Sequence, residues 1–251
     1  MDSPRTAAAL VLGNELLTGK VQDRNLTALA AMLFEVGIEL RRAVFCPDEE
    51  GTIAAELTAL SREHDWVFTS GGVGPTHDDV TMAAVGRAFS RPLERSQEIE
   101  ELLREYFGER LEPRHLCMAR VPRGAVLVRS PRVRWPTVRV ANVFVLPGQP
   151  KIFRSKLPLL AEHLAGAPPF VSREVRTAAE EGQIAPLLEE VCRAHPTVSI
   201  GSYPQGADAD AQVVLSVDGR DPAAVDRAVE ALHRTLGENL PAGSVVDRDD
   251  V

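Results

Sequence analysis

Three apolar stretches, 6–12, 38–45 and 66–69, each end in a turn and give way to apolar residues spaced as on a helix. Strand-like runs that alternate with a 3.6-residue period leave few foldings open. The order β-α-β-α-β-α requires right-handed crossovers and a mainly parallel sheet covered by helices. Leu26, Leu29, Ala30, Leu33 and Val36 make the first helical face, with Asn25 or Asp23 as cap and Gly37 as stop. Asp48 opens the second helix, on Ile53, Leu57 and Leu60. Val80, Ala84, Val85, Ala88 and Phe89 mark the third.

The pattern continues less regularly. Residues 96–107 read as an amphipathic helix, and 110–123 carry only a short helical signal around Leu116. Val126, 138–140 and 143–146 read as strands, the last two joined at Ala141-Asn142. Residues 131–136 read as an exposed basic loop within a stretch that carries Arg129, Arg132, Arg134 and Arg139. Residues 152–164 read as a helix kinked near Pro158. Gly166-Ala167-Pro168-Pro169 breaks both periods and is the expected boundary between a domain at 1–166 and one at 170–251. The second domain reads β-α-β-β-α: strands at 171–177, 198–203 and 212–217, helices at 184–192 and 225–236. Asp221 and Pro222 are cap and first residue of the last helix. The acidic end, 247–251, is expected to fray.

Composition narrows the function classes. A chain of 251 residues suits one large domain, or one medium and one small. With 44% hydrophobic and 25% charged residues it is no disordered chain, collagen or coiled-coil rod. A net charge of −8 disfavours nucleic-acid binding, and Gly201-Ser202-Tyr203-Pro204 lacks the GXXG backbone clamp. Cys46, Cys117 and Cys192 form no CxxC pair and are expected to be buried thiols in a reducing compartment. No apolar run approaches the ~20 residues of a membrane span. Residues 1–9 lack a basic start followed by a long apolar core, so a cytoplasmic protein without a secretory signal is expected.

Three loops fall where strands end and helices begin, the place where open α/β sheets bind ligands. The first is Gly71-Gly72-Val73-Gly74-Pro75-Thr76-His77-Asp78-Asp79-Val80-Thr81. Its glycines permit close backbone approach, and the N–H groups at the helix start can hold an anion. It contains no Lys or Arg, so phosphate binding would rely on backbone donors and a hard cation held by Asp78 and Asp79. The structural alternative is a tight turn in which Asp78 caps the helix and Asp79 complements its dipole. The second loop, Gly13-Asn14-Glu15-Leu16-Leu17-Thr18-Gly19-Lys20, has five residues between its glycines and Val21 after the lysine, which excludes a Walker-type ATPase. Glu15 sits there on the same rim, as a site residue or a solvated carboxylate. The third is Pro147-Gly148-Gln149-Pro150. No HExxH, GxSxG or GxGxxG spacing supports a histidine zinc centre, a serine hydrolase or a nicotinamide dehydrogenase.

The Gly13–Gly19 stretch, Gln22-Asp23-Arg24-Asn25, the long glycine motif at 71–81 and Leu146-Pro147-Gly148 resemble the CinA-type competence/damage-inducible family, of the MoaB/Mog-like molybdopterin-binding fold. The second domain, through Gly201-Ser202-Tyr203-Pro204 and 178–188, is similar to the small domain that follows in that family and in the amino-terminal half of eukaryotic FAD synthases. The resemblance implies a three-layer α/β/α domain and a small α+β domain. It also implies a rim that binds a phosphorylated nucleotide or a pterin. Among relatives are metal-dependent pyrophosphatases that split FAD or ADP-ribose, and other members bind molybdopterin.

Carried onto matching positions, the resemblance makes Asp78, Asp79 and Glu15 catalytic. Asp78 and Asp79 would hold Mg, Mn or Co. Gly13, Asn14, Asp23, Asn25, Gly71, Gly72, Gly74, Pro75, Thr76, Thr81, Pro147 and Gly148 would line the ligand. Asn14 stands where the family often has Asp, which removes one possible metal ligand. The resemblance covers neither the nicotinamide-nucleotide amidase domain of long CinA proteins nor the FAD-synthesising domain, so neither activity is expected. Three functions compete: a nucleotide pyrophosphatase releasing AMP, a pterin-binding module, and a non-catalytic regulatory module. Homo-oligomers are expected, since this fold commonly associates.

Overall fold

The computed structural model describes residues 5–131, 133–164, 168–206, 211–241 and 243–246. Arg132, Gly166, Ala167, Asp208, Asp210 and the acidic end from 247 lie outside them. The chain divides into two compact units, Met1–Ala167 and Pro168–Val251.

In the first unit the strands are β1 (Thr6–Leu12), β2 (Glu39–Cys46), β3 (Trp66–Ser70), β4 (Leu93–Arg95), β5 (Arg120–Pro122), β6 (Val126–Ser130), β7 (Val133–Val140) and β8 (Val143–Leu146). The helices are α1 (Asn14–Leu17), α2 (Asn25–Glu35), α3 (Glu50–Glu63), α4 (Thr81–Ala88), α5 (Gln97–Phe107) and α6 (Pro150–Leu164). A 3₁₀ segment at Pro113–Ala119 follows α5. Six strands form one sheet in the order β2-β1-β3-β8-β7-β6. β2, β1, β3 and β8 run parallel, and β7 and β6 extend them antiparallel.

Strand alternation explains why this sheet is covered on both faces. Ala8, Leu10 and Leu12 of β1 join one core with Ile53 and Leu57 of α3, Ala84 and Val85 of α4, and Ile99 and Leu103 of α5. Ala7 and Ala9 face the other way, into a core with Leu29 and Leu33 of α2 and Phe153 and Leu160 of α6. Phe68 and Phe144, on the paired strands β3 and β8, stack there with centroids 5.3 Å apart. A strand buried on both faces must be apolar, as β1 is from Ala7 to Leu12. The result is the α/β fold with three layers.

Two expectations need correction here. Residues 133–136 are not a solvent loop: they open β7, which runs from Val133 to Val140. Arg134 of β7 is neutralised from α5 by Glu105, and Arg129 of β6 pairs with Glu98. Those two acids lie seven residues apart on one helix face, a cross-element match that no local period displays. The cysteines also differ from expectation. Cys46 is buried, but Cys117 and Cys192 are exposed.

The second unit holds β9 (Val171–Thr177), α7 (Glu181–Ala194), β10 (Ser199–Pro204), β11 (Val213–Gly219), α8 (Pro222–Asn239) and β12 (Val245–Val246). Its antiparallel sheet has the order β10-β11-β9-β12. Val213, Leu215 and Val217 of β11 meet Val225, Leu232 and Leu236 of α8 in a separate core. Asp221 caps α8 by accepting from Ala223 N at 3.0 Å. β12 is the addition to the expected β-α-β-β-α order; two residues are too few to show a period.

Candidate functional site

Three strand ends meet at one rim of the first unit. Gly71 N donates to Leu146 O at 3.1 Å, which ties the end of β3 to the end of β8. Gly71 has φ 119°, and a Cβ there would stand 2.6 Å from Leu12 O at the end of β1. Gly72 has φ 64°, and a Cβ would overlap the Thr81 hydroxyl. Both positions therefore require glycine, for conformation and for space. Thr81 is buried. Its hydroxyl donates to Gly71 O at 2.9 Å, and its N–H donates to Gly72 O at 3.0 Å.

The loop closes on itself through Asp79. Asp79 Oδ2 accepts from Thr76 N at 2.8 Å and from the Thr76 hydroxyl. The structural alternative raised from sequence, a helix cap at Asp78, is not what forms: α4 starts at Thr81 with Val80 before it and no side-chain cap. Asp78 is exposed. The Thr76 side chain, then Asp78's own backbone N–H, and less strongly His77, hold its carboxyl below the usual range.

Asn25, at the start of α2, also holds the ends of β3 and β8. Its Nδ2 donates to Ser70 Oγ at 2.9 Å and to Gly148 O at 2.7 Å. The Gly148 carbonyl can only accept, which fixes the orientation of the amide. Asn25 is 3% exposed, and its Oδ1 has no partner among the described residues. A buried acceptor left open beside a cavity is matched to a donor that arrives from outside. The capping of α2 falls instead to Asp23, whose Oδ1 accepts from Leu26 N at 2.8 Å.

These loops enclose a cavity of about 1100 Å³. Of the residues expected at the site, it gathers Gly13, Glu15, Asp23, Asn25, Gly71, Gly72, Gly74, Pro75, Thr76, Asp78, Asp79, Pro147 and Gly148. Asn14 and Thr81 are not on its wall. Asn14 N donates to Asp48 Oδ2 at 2.9 Å, and Thr81 lies beneath the glycine loop. Asp48 was expected to open a helix, but α3 starts at Glu50 and Asp48 faces the cavity. Burial raises the Asp48 pKa, the Asn14 N–H opposes the rise, and Glu15, Asp78 and Asp79 push it further up. The cavity wall thus carries Glu15, Asp23, Asp48, Asp78 and Asp79 against Arg24 and Lys156. A polyphosphate entering it needs positive charge to come along.

A divalent ion is chemically matched to this all-oxygen, hard donor set. No group of three or more His, Cys, Asp or Glu side chains among the described residues converges closely enough to hold an ion unaided.

A second wall was missed in the sequence. Trp135 of β7, Tyr106 and Phe107 of α5, and His115 after it form a continuous row of rings, with centroid separations of 5.8, 5.0 and 4.0 Å. Lys156 of α6 lines the cavity beside them, although only 4% exposed. It donates to Trp135 O and, at 3.2 Å, to Pro136 O. Burial lowers its pKa to about 8. The signal was present: Lys156 occupies the apolar stripe of α6 between Phe153 and Leu160.

Residues 8–166 match the family "Probable molybdopterin binding domain", and residues 169–249 match "FAD synthase, middle domain". A protein of Archaeoglobus fulgidus is 31% identical over 227 residues, spanning 90% of this chain and 96% of its own. A "Probable FAD synthase" of Caenorhabditis elegans is 27% identical over 270 residues; the match covers 96% of this chain and 51% of that protein. The crystal structure of CinA from Thermoplasma acidophilum, a protein of unknown function, superposes with a TM-score of 0.59 at 25% identity. That match covers 64% of this chain and 98% of that one. No helix among the described residues is long and apolar enough to cross a membrane.

Proposed function

The chain belongs to the molybdopterin binding domain family, and we propose that its rim cavity binds a nucleotide diphosphate and hydrolyses it in a divalent-metal-dependent reaction, with FAD or ADP-ribose as substrate and AMP as product. The observation that carries this reading is the convergence of three strand ends on a cavity whose floor is bare glycine backbone and whose wall is acidic. Backbone N–H groups at Gly72 and Gly74 would cradle the phosphates, beside Thr76, whose own N–H is held by Asp79. Asn25 Oδ1 would accept a hydrogen bond from the ligand. Likeness to a FAD synthase favours a flavin nucleotide among the candidates.

Bound Mg, Mn or Co would neutralise the diphosphate and lower the pKa of the attacking water. Asp78 would hold it together with the free Oδ1 of Asp79, and Glu15 would orient the ion or the water. In the reaction, water oxygen joins one phosphorus, the P–O–P bond breaks, and the proton passes to solvent or to a rim carboxylate. Thr76 keeps Asp79 in place through the two hydrogen bonds described.

One observation favours a second reading, a pterin-binding module without hydrolysis: no three ligating side chains converge among the described residues. The two readings part on one experiment. FAD, ADP-ribose, NAD and ATP are incubated with Mg, Mn or Co and the products resolved by chromatography. AMP from FAD or ADP-ribose, lost in Asp78→Asn, is expected. No AMP with any metal, together with co-purified pterin fluorescence, would leave the binding module standing.

A further inference from the structure

We propose that the row Trp135, Tyr106, Phe107 and His115, with the Lys156 ammonium group beside it, is the subsite for a flat, carbonyl-bearing ring of flavin type, and that it sorts such nucleotides from ADP-ribose. The proposal rests on the reading of the rim as a nucleotide diphosphate site.

Trp135 and Phe107 rest on the core and leave Tyr106 standing out from it, open to contact from the cavity. The chain has two Trp and two Tyr, and one of each stands in this wall. Tyr106 is 57% exposed, yet both its neighbours meet it edge-on, at 90° and 80°. Such an arrangement holds an exposed ring at a fixed angle, and a planar ligand ring gains by stacking on it or meeting its edge. The terminal ribose of ADP-ribose has no π face, and its adenine, although flat, has no ring carbonyl for a lysine donor to meet.

Lys156 supplies the polar half. Its ammonium group has three donors, and two are used by the Trp135 and Pro136 carbonyls. Those carbonyls lie opposite the register shift between Val128 and Ser130 of β6, so Lys156 also satisfies backbone left over by that irregularity. A neutral amide would serve that purpose without a charge. No carboxylate pairs with the ammonium group among the described residues, so a buried cation with a donor to spare faces the cavity. Ring carbonyl oxygens are its chemical complement.

The spacing also suits one ligand spanning both walls. A Cβ on Gly148 would lie 3.2 Å from Gly71 Cα, so the turn that starts α6 rests on the glycine loop. Lys156 is six residues beyond Pro150, or ~9 Å along the helix axis. A ring joined to its phosphate through a sugar-derived chain covers that span.

The test uses flavin mononucleotide, AMP and ADP-ribose as probes of the full chain, by flavin fluorescence quenching and calorimetry, with Lys156→Met and Tyr106→Ala. Flavin mononucleotide is expected to bind with quenching, and each variant to weaken it at least tenfold while moving AMP and ADP-ribose far less. Tyr106 is exposed, so its variant keeps the test open if Lys156→Met fails to fold. Equal losses for flavin and AMP, no loss for flavin, or no flavin binding by the wild type would overturn the subsite. Flavin binding that depends on Lys156 and Tyr106 without any AMP release from FAD would remove the hydrolase reading and leave the subsite intact.

Discussion

Asn25 Nδ2 donates at 2.7 Å to the carbonyl oxygen of Gly148, a residue 123 positions later in the chain. One amide therefore sets the separation between the start of α2 and the loop after β8. The second bond, to Ser70, extends the same control to the end of β3.

Removal of that amide has a definite cost. Asn25→Ala leaves a buried carbonyl without a donor, which is expected to destabilise the first unit by about 1–3 kcal/mol. Asn25→Asp presents a carboxylate oxygen to the Gly148 carbonyl and is expected to do at least as much damage. Urea denaturation of both variants checks this; a midpoint unchanged in either would show that the bond does not tie the loops.

The neighbouring aspartates should separate. Asp79 receives two hydrogen bonds from Thr76, whereas Asp78 is exposed. Asp79→Ala is expected to lose roughly 1–2 kcal/mol of stability, and Asp78→Ala, whose carboxylate stands in solvent, to lose less. Both should lose AMP release by 100-fold or more. Paired melting curves and product assays decide it, and identical melting of the two variants would contradict the assignment.

Gly72→Ala places a methyl group on the buried Thr81 hydroxyl at a positive φ. The strain of a left-handed non-glycine residue alone is about 1–2 kcal/mol, and the overlap adds to it. A melting temperature within a degree of wild type would mean that the loop relaxes freely.

The lysine makes a prediction about alkaline pH. Its folded pKa of about 8 lies below the ordinary lysine value of 10.5. Below pH 8 both folded and unfolded chains hold the proton, and the burial penalty is present in full. Between pH 8 and 10.5 the unfolded chain binds more protons, so this group makes stability rise with pH, by about 3 kcal/mol across the window. The stability of wild type minus that of Lys156→Met should therefore climb between pH 8 and 10. A flat difference in urea titrations would refute it.

Much of the rim was readable before any coordinates. β1 is apolar from Ala7 to Leu12 because both its faces are covered, and the motif at 71–81 packs its glycines where backbone must meet backbone. The phosphate end of the cavity follows from such local rules. The ring wall does not. Trp135 belongs to a strand whose arginine looked like loop until α5 supplied the opposing acids, and Lys156 occupies a helix stripe where charge is normally excluded. Asp48 looked like a helix start because an acid before a helical period usually is one. Its actual role depends on Asn14, brought to it by the parallel pairing of β1 and β2.

The pairing of β3 with β8 also governs when the cavity can come into being. Leu146 N reaches the Thr69 hydroxyl across 77 residues, and Gly71 N reaches Leu146 O beside it. Contacts so distant in sequence are slow to close and are made late in folding. On the ribosome, where domains fold as they emerge, the glycine loop leaves the exit tunnel long before the strand that fixes it has been synthesised. Until residues 143–146 arrive, Gly71 has no carbonyl to bind, and the nascent chain carries the whole motif with no cavity around it.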